Sequence, residues 1–192
     1  LSDQALMADL DWIAHYQIKH VSCYALTVEE KTALKKQIEK GQIENVDSEK
    51  QARHFEIVCA RLKAMGLEHY EISNFAIPGF RSQHNSNYWS GKTYLGLGPS
   101  AHSFNTISRQ WNIANNALYI KSIAQGQLNF EIELLTEANR YNEYMMTSLR
   151  RIEGFDLDWI AEKFGQPYLD HSIAMLKEME TKHIFGPIPS RR

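Results

Sequence analysis

Helix and strand patterns alternate along the first 80 residues, and this alternation limits the possible folds more than any other feature of the sequence. Apolar residues recur at helical spacing in residues 1–15 and 48–65, whereas residues 20–27 and 69–76 are rich in strand formers. Short connections between such elements are typical of βα units with parallel strands. Because two strands do not form a stable sheet alone, we expect partner strands to lie upstream of Leu1.

The ends of these elements carry recognisable signals. Ser2 can cap the first helix. Ser48, with Gln51 three residues later, forms a capping box that predicts the start of the second, and Gly66 is a stop signal for it. Pro78-Gly79 predicts a turn after the second strand.

Helical signals dominate the last third of the chain. Thr136 and Asp156 can each cap a helix, and a third helix is predicted from about Pro167. Tight turns at Gly154 and Gly165 would separate them. We therefore predict an α/β part over residues 1–110 and a small, mainly helical domain over residues 111–192.

Composition excludes several classes of protein. A formal net charge of -2 provides no general attraction to nucleic acid or anionic lipid. The apolar runs are too short for a membrane span, and the chain has no signal-peptide pattern. Cys23 and Cys59 are 36 positions apart, which fits two reduced, buried thiols in a cytoplasmic protein.

The segment from Gln83 to Phe104 follows neither helical nor strand periodicity and is aromatic, polar and glycine-punctuated at once. It begins with the motif His84-Asn85-x-x-Tyr88-Trp89. A neutral imidazole is a common ligand of haem iron, and flanking aromatic rings suit a flat macrocycle. The alternative is a polar loop whose rings pack on an adjoining domain.

Two further sets of residues are candidates for binding. In Gly96-Leu97-Gly98-Pro99-Ser100-Ala101-His102, two glycines one residue apart let backbone amides approach a ligand, although a simple tight turn also explains them. Polar residues end the second strand, where they would face a ligand in an α/β barrel or else anchor the next loop. These residues are Glu71, Ser73 and Asn74.

Four motifs in this order, HVSCYALTVEE, HYEISNFAIPG, HNSNYW and YLGLGPSAHSF, resemble the radical S-adenosylmethionine (SAM) haem chaperones of the HemW type, which are relatives of oxygen-independent coproporphyrinogen III oxidase. The resemblance covers about residues 1–165. It implies the last two βα units of a partial (β/α)6 barrel followed by the helical domain. The HNxxYW element separates the chaperone from the oxidase and favours the chaperone.

The resemblance also implies cofactors and partners. Relatives bind a [4Fe-4S] cluster through a CxxxCxxC loop, which this sequence lacks, and SAM on the cluster. Haem or porphyrin would be the cargo and a haem-acceptor protein the partner, with no nucleic acid and a peripheral association with membranes. By position in the motifs, the residues on the SAM side are Tyr24, Ala25, Glu71, Asn74, Gly96, Gly98 and His102. Those on the haem side are His84, Asn85, Tyr88 and Trp89, with His84 as the iron ligand.

Two alternative functions stay open at this point. The first is the oxidase itself, which removes carboxyl groups from porphyrinogen side chains. The second is a winged-helix-like nucleic-acid module, which a basic helix would favour. Residues 155–180 instead carry more acidic than basic side chains, so that alternative is weak.

Overall fold

The computed structural model describes residues 1–182 and divides the chain into two units, which meet between Gln83 and His84. The tail after Lys182, which the sequence analysis could not place, lies outside the described residues. Elements of the N-terminal unit are α1 (Asp3–His15), β1 (His20–Ser22), α2 (Ala33–Glu39), α3 (Ser48–Ala64), β2 (Glu68–Glu71) and β3 (Asn74–Ala76).

The strand predicted at residues 69–76 is two strands, and the prediction of adjacent parallel strands was wrong. The sheet has the order β1-β3-β2, and β3 is antiparallel to both of its neighbours. The chain reverses at Ile72 and Ser73, where the Ser73 N–H donates to the Glu71 carboxylate at 3.1 Å. β1 and β2 still run in the same direction, because each is antiparallel to β3.

Helices α1 and α3 lie side by side above the apolar core of this unit. Arg53 on α3 bonds Asp3 on α1 at 3.0 Å, and Arg61 bonds Asp11 at 2.5 Å. Both partners advance by eight residues, so the two helices run in the same direction, as successive βα units require. Their shared core consists of Leu6, Leu10, Val58, Leu62, Leu67 and Phe75.

The helix ends follow the predicted signals with one correction. Ser2 caps α1 and accepts the Ala5 N–H at 3.1 Å. Asp47, rather than Ser48, caps α3, because its carboxylate accepts the Lys50 N–H at 3.0 Å. The predicted capping box is therefore absent, and the Gln51 side chain bonds the Leu26 carbonyl at 2.8 Å instead.

The second unit contains a sheet that the sequence analysis did not predict. Strands β4 (His102–Phe104), β5 (Ser108–Asn112) and β6 (Phe130–Leu134) form an antiparallel sheet in chain order. Asn105 makes the turn between β4 and β5, since its side-chain oxygen accepts the Ser108 N–H at 2.7 Å. Helix α4 (Gln83–Trp89) precedes this sheet, and α5 (Asn116–Ala124) joins β5 to β6.

The three predicted helices of the C-terminal part are confirmed as α6 (Glu137–Ser148), α7 (Leu157–Phe164) and α8 (Gln166–Thr181). Thr136 and Asp156 are their first two caps, as predicted. Their core is Tyr141, Ile160 and Leu169. No helix within residues 1–182 is long and apolar enough to cross a bilayer.

Candidate functional site

The HNxxYW motif forms α4, a helix of two turns, and not a loop. His84 and Tyr88 are four residues apart, so their side chains lie on one face of this helix. Both are exposed, and Tyr88 keeps 46% of its surface accessible. Asn85 lies half-buried between them along the chain. The helix therefore presents an imidazole and a phenol ring together.

Tyr94 supports this face from behind the Tyr88 ring. The two rings stack at 5.0 Å between centroids, and the Tyr94 hydroxyl donates to the Tyr88 oxygen at 3.3 Å. Tyr94 also pairs with Phe104 through backbone hydrogen bonds, which tie it to β4. Burial, together with the bond to Tyr88, raises the pKa of Tyr94 to about 12. The Tyr94 hydroxyl therefore keeps its proton and fixes the Tyr88 ring.

Trp89 has a different position from its neighbour Tyr88. Its ring is half-buried, stands edge-on to Tyr88 at 5.5 Å, and has the Arg150 guanidinium 4.8 Å from its centroid. Such cation–π contacts contribute on the order of 1 kcal/mol. Trp89 thus anchors α4, whereas Tyr88 forms the accessible surface. The sequence motif did not distinguish these two roles.

The glycine turn between residues 96 and 98 is held by internal hydrogen bonds. Asn112 donates to the Gly98 carbonyl at 2.9 Å and to the Gly96 carbonyl at 3.3 Å. The Gly96 N–H donates to Ser103, and the Gly98 N–H donates to the Tyr119 hydroxyl. The amides that the pattern offered to a ligand are therefore engaged within the protein. Sequence reasoning missed Asn112, whose only signal is its place at the end of an alternating segment.

Gly96 is required by a close approach of the backbone. A Cβ atom at this position would lie 2.1 Å from the His102 carbonyl oxygen. Gly98 instead adopts a left-handed φ of +107° with open space around it. The His102 side chain is exposed, with its ring 5.9 Å from that of Trp111.

The polar residues at the end of the second predicted strand form a buried network. Ser22 on β1 donates to the Asn74 oxygen at 2.7 Å, and the Asn74 amide donates to the Glu71 carboxylate. Glu71 and Asn74 are 2% and 1% exposed. Ser73 is also buried. This network joins β1 to the turn between β2 and β3, so a structural role is evident for all of them.

Tyr24 and Ala25 follow β1 and are exposed, with Tyr24 at 71% accessibility. Neither the fold nor the contacts of the N-terminal unit bring them into the buried network. Their assignment to the SAM side, like that of Glu71, Asn74, Gly96, Gly98 and His102, remains a prediction from the motifs.

The cysteines do not suit an iron–sulfur cluster. Burial raises the pKa of Cys23, with a smaller effect from neighbouring Cys59, and burial also raises the pKa of Cys59. Cluster ligands are thiolates, which this environment disfavours. No group of three metal-binding side chains exists within residues 1–182, and the whole sequence has only two cysteines. The residues present therefore do not fit a [4Fe-4S] cluster.

Comparisons with known proteins agree with the motifs. The chain is 33% identical over 165 residues to "Heme chaperone HemW" of Bacillus subtilis (strain 168), covering 85% of this chain and 44% of that protein. It is 37% identical over 127 residues to "Heme chaperone HemW" of Mycobacterium tuberculosis (strain ATCC 25618 / H37Rv), covering 66% of this chain and 33% of that protein. No protein-family model matches the chain.

A mitochondrial relative and a solved structure extend the comparison. "Radical S-adenosyl methionine domain-containing protein 1, mitochondrial" of Danio rerio is 42% identical over 83 residues, covering 43% of this chain and 19% of that protein. The structure titled "Coproporphyrinogen III oxidase (HemN) from Escherichia coli is a Radical SAM enzyme" superimposes with a TM-score of 0.70 at 15% identity. That match covers 93% of this chain and 44% of the solved one, and it shows the fold alone.

The chain thus spans less than half the length of these relatives. Its fold is that of part of a radical SAM protein, with α/β elements followed by helices, as the sequence predicted. The identity to the Bacillus subtilis protein, over most of this chain, carries the assignment. The chain belongs to the HemW family of radical SAM haem chaperones.

Proposed function

We propose that this chain carries the haem-binding face of a haem chaperone, and that the whole protein passes the haem to an acceptor protein. The observation that supports this proposal is the exposed pair of His84 and Tyr88 on one face of α4, with Tyr88 stacked on Tyr94. The names of the relatives, which are haem chaperones, point the same way.

The chemistry of the pair suits a carrier. The neutral His84 imidazole would donate a nitrogen lone pair to the haem iron, while the Tyr88 ring would lie against the edge of the macrocycle. An exposed face with one axial ligand buries only part of the haem surface. A carrier needs such incomplete burial, because it must release the haem to its acceptor.

SAM and the cluster belong to the proposal for the whole protein only. In radical SAM relatives the cluster supplies the electron for SAM chemistry, but the ligands of a cluster are missing from this sequence. The exposed segment at Tyr24 and Ala25 would lie on the SAM side, with Gly96, Gly98 and His102 assigned there by the motifs. Glu71 and Asn74 would support that side from the interior of the N-terminal sheet.

Titration with ferric haem, followed at the Soret band, tests the haem face. We expect His84→Ala to lose the Soret shift of a ligated haem and Tyr88→Leu to weaken binding. His15→Ala is a matched control, since His15 is also exposed and lies beside two aromatic rings, those of Trp12 and Tyr16. Unchanged binding by the His84 variant, or equal loss in the control, would contradict the proposal.

A second candidate function is coproporphyrinogen III oxidase activity, which the structural match to HemN favours. Its test is porphyrinogen decarboxylation by a protein that contains this chain and a cluster loop. Turnover that persists in His84→Ala would favour the oxidase over the chaperone.

A further inference from the structure

Strand β6 (Phe130–Leu134) forms one edge of the second sheet, and all five of its residues are exposed. Its only strand partner within residues 1–182 is β5. Edge strands are usually protected by proline, lysine or a β-bulge, because an open edge invites another strand. The sequence FEIEL has no proline or lysine, and its pairing with β5 has no register shift.

The hydrogen bonds to β5 show which backbone groups of this edge are open. The Ile113 N–H donates to the Asn129 carbonyl at 3.0 Å, and the Leu135 N–H donates to the Ile107 carbonyl at 2.9 Å. In an antiparallel pair, alternate residues direct their backbone groups to the partner. The odd-numbered residues therefore face β5. The residues whose N–H and C=O groups point away from it are Phe130, Ile132 and Leu134.

The side chains divide the same strand into two faces. Phe130, Ile132 and Leu134 are 40%, 56% and 74% exposed and share one face. Glu131 and Glu133 share the other, and neither has an ion-pair partner among the described residues. The edge thus combines open backbone groups, an apolar row and an acidic row.

We propose that β6 is a docking edge for an extended segment of a partner protein, in which apolar residues alternate with lysine or arginine. Such a segment would add a fourth strand through the backbone groups of Ile132 and its even-numbered neighbours. Its apolar side chains would cover the exposed row, and its basic side chains would lie opposite Glu131 and Glu133. This docking edge is independent of the haem face and does not rest on haem binding.

Charge also argues against a second copy of this chain as the occupant. In antiparallel pairing of β6 with itself, residues of one parity oppose residues of the same parity. Glu131 would then face Glu131 or Glu133 of the other copy. Like charges directly opposite each other destabilise a strand pair. A basic partner removes this repulsion.

Fluorescence anisotropy with the full 192-residue chain tests the proposal. The probe is a labelled seven-residue peptide that alternates valine with lysine, and the control peptide alternates valine with glutamate. We expect the basic peptide alone to bind and Glu131→Lys/Glu133→Lys to raise its Kd by about tenfold. Ile132→Pro should also weaken binding, because it removes an outward N–H and leaves the bonds to β5.

Glu44→Lys/Glu56→Lys is the matched charge control, since both residues are exposed and lie outside β6. Each glutamate-to-lysine change adds two charges, so both double variants move the formal net charge from -2 to +2. Equal weakening by the two double variants would show general electrostatic attraction and overturn the proposal, as would no binding of the basic peptide.

Two other occupants would also overturn it. Self-association in sedimentation that Ile132→Pro abolishes would identify a second copy. Binding to phosphatidylcholine vesicles that the same variant abolishes would identify a lipid surface. Circular dichroism of each variant checks that the fold is retained.

Discussion

Replacement of Gly96 by alanine tests the close approach between the glycine turn and β4. The new Cβ would lie 2.1 Å from the His102 carbonyl oxygen, whereas ordinary contact begins at 3.4 Å. The turn and the strand must therefore separate by about 1.3 Å, the difference between these two distances. Both groups are backbone, so no side-chain rotation relieves the contact. Forced overpacking of this kind costs about 1–3 kcal/mol.

Amide hydrogen exchange measures this cost locally. Tyr94 and Phe104 donate to each other's carbonyls at 3.0 and 2.9 Å, next to the strained contact. We expect their protection in Gly96→Ala to fall by roughly 5- to 150-fold, which corresponds to the energy above. Gly98→Ala provides the contrast, because its added Cβ meets open space and only its φ of +107° is unfavourable.

The expected order is therefore a larger loss of protection in Gly96→Ala than in Gly98→Ala. Gly41→Ala, a left-handed glycine in the other unit, should leave Tyr94 and Phe104 unchanged. Protection in Gly96→Ala equal to that of the unmodified chain would refute the reasoning, since the predicted contact would then not exist in solution.

Two further variants test the N-terminal unit by urea denaturation. Hydrogen bonds from Arg53 and then His54 lower the pKa of Asp3 from 3.8 to about 2, so Asp3 stabilises the fold above about pH 4 and this effect is lost as the pH falls towards 2. The midpoints of the unmodified chain and Asp3→Asn should differ at pH 6 and converge near pH 2; a difference that does not depend on pH would disprove this. Asn74→Ala removes a donor from the buried Glu71 carboxylate and should cost about 1–3 kcal/mol, so an unchanged midpoint would disagree with the network.

Local signals in the sequence predicted the helices well. Ser2, Thr136 and Asp156 cap their helices through hydrogen bonds to residues two or three positions later, and such contacts depend on neighbouring sequence alone. Asp47 shows the limit of this reasoning, because two adjacent residues could both cap α3 and the backbone conformation selected the first.

Strand pairing could not be predicted in the same way. The segment 69–76 has continuous strand propensity, yet it contains a reversal that the buried Glu71 carboxylate stabilises. The sheet of β4, β5 and β6 was missed because each strand is short and half-exposed, with a weak alternating pattern.

For the candidate site, the sequence by itself determined the family, since four motifs in order identify relatives without any coordinates. It also placed an imidazole and a phenol ring four residues apart. Only the tertiary structure decided that Tyr88 is accessible while Trp89 is held under Arg150, and that Asn112 occupies the carbonyls of the glycine turn. These roles depend on contacts between residues distant in the chain, and burial and hydrogen-bond partners are set by such contacts and not by local pattern.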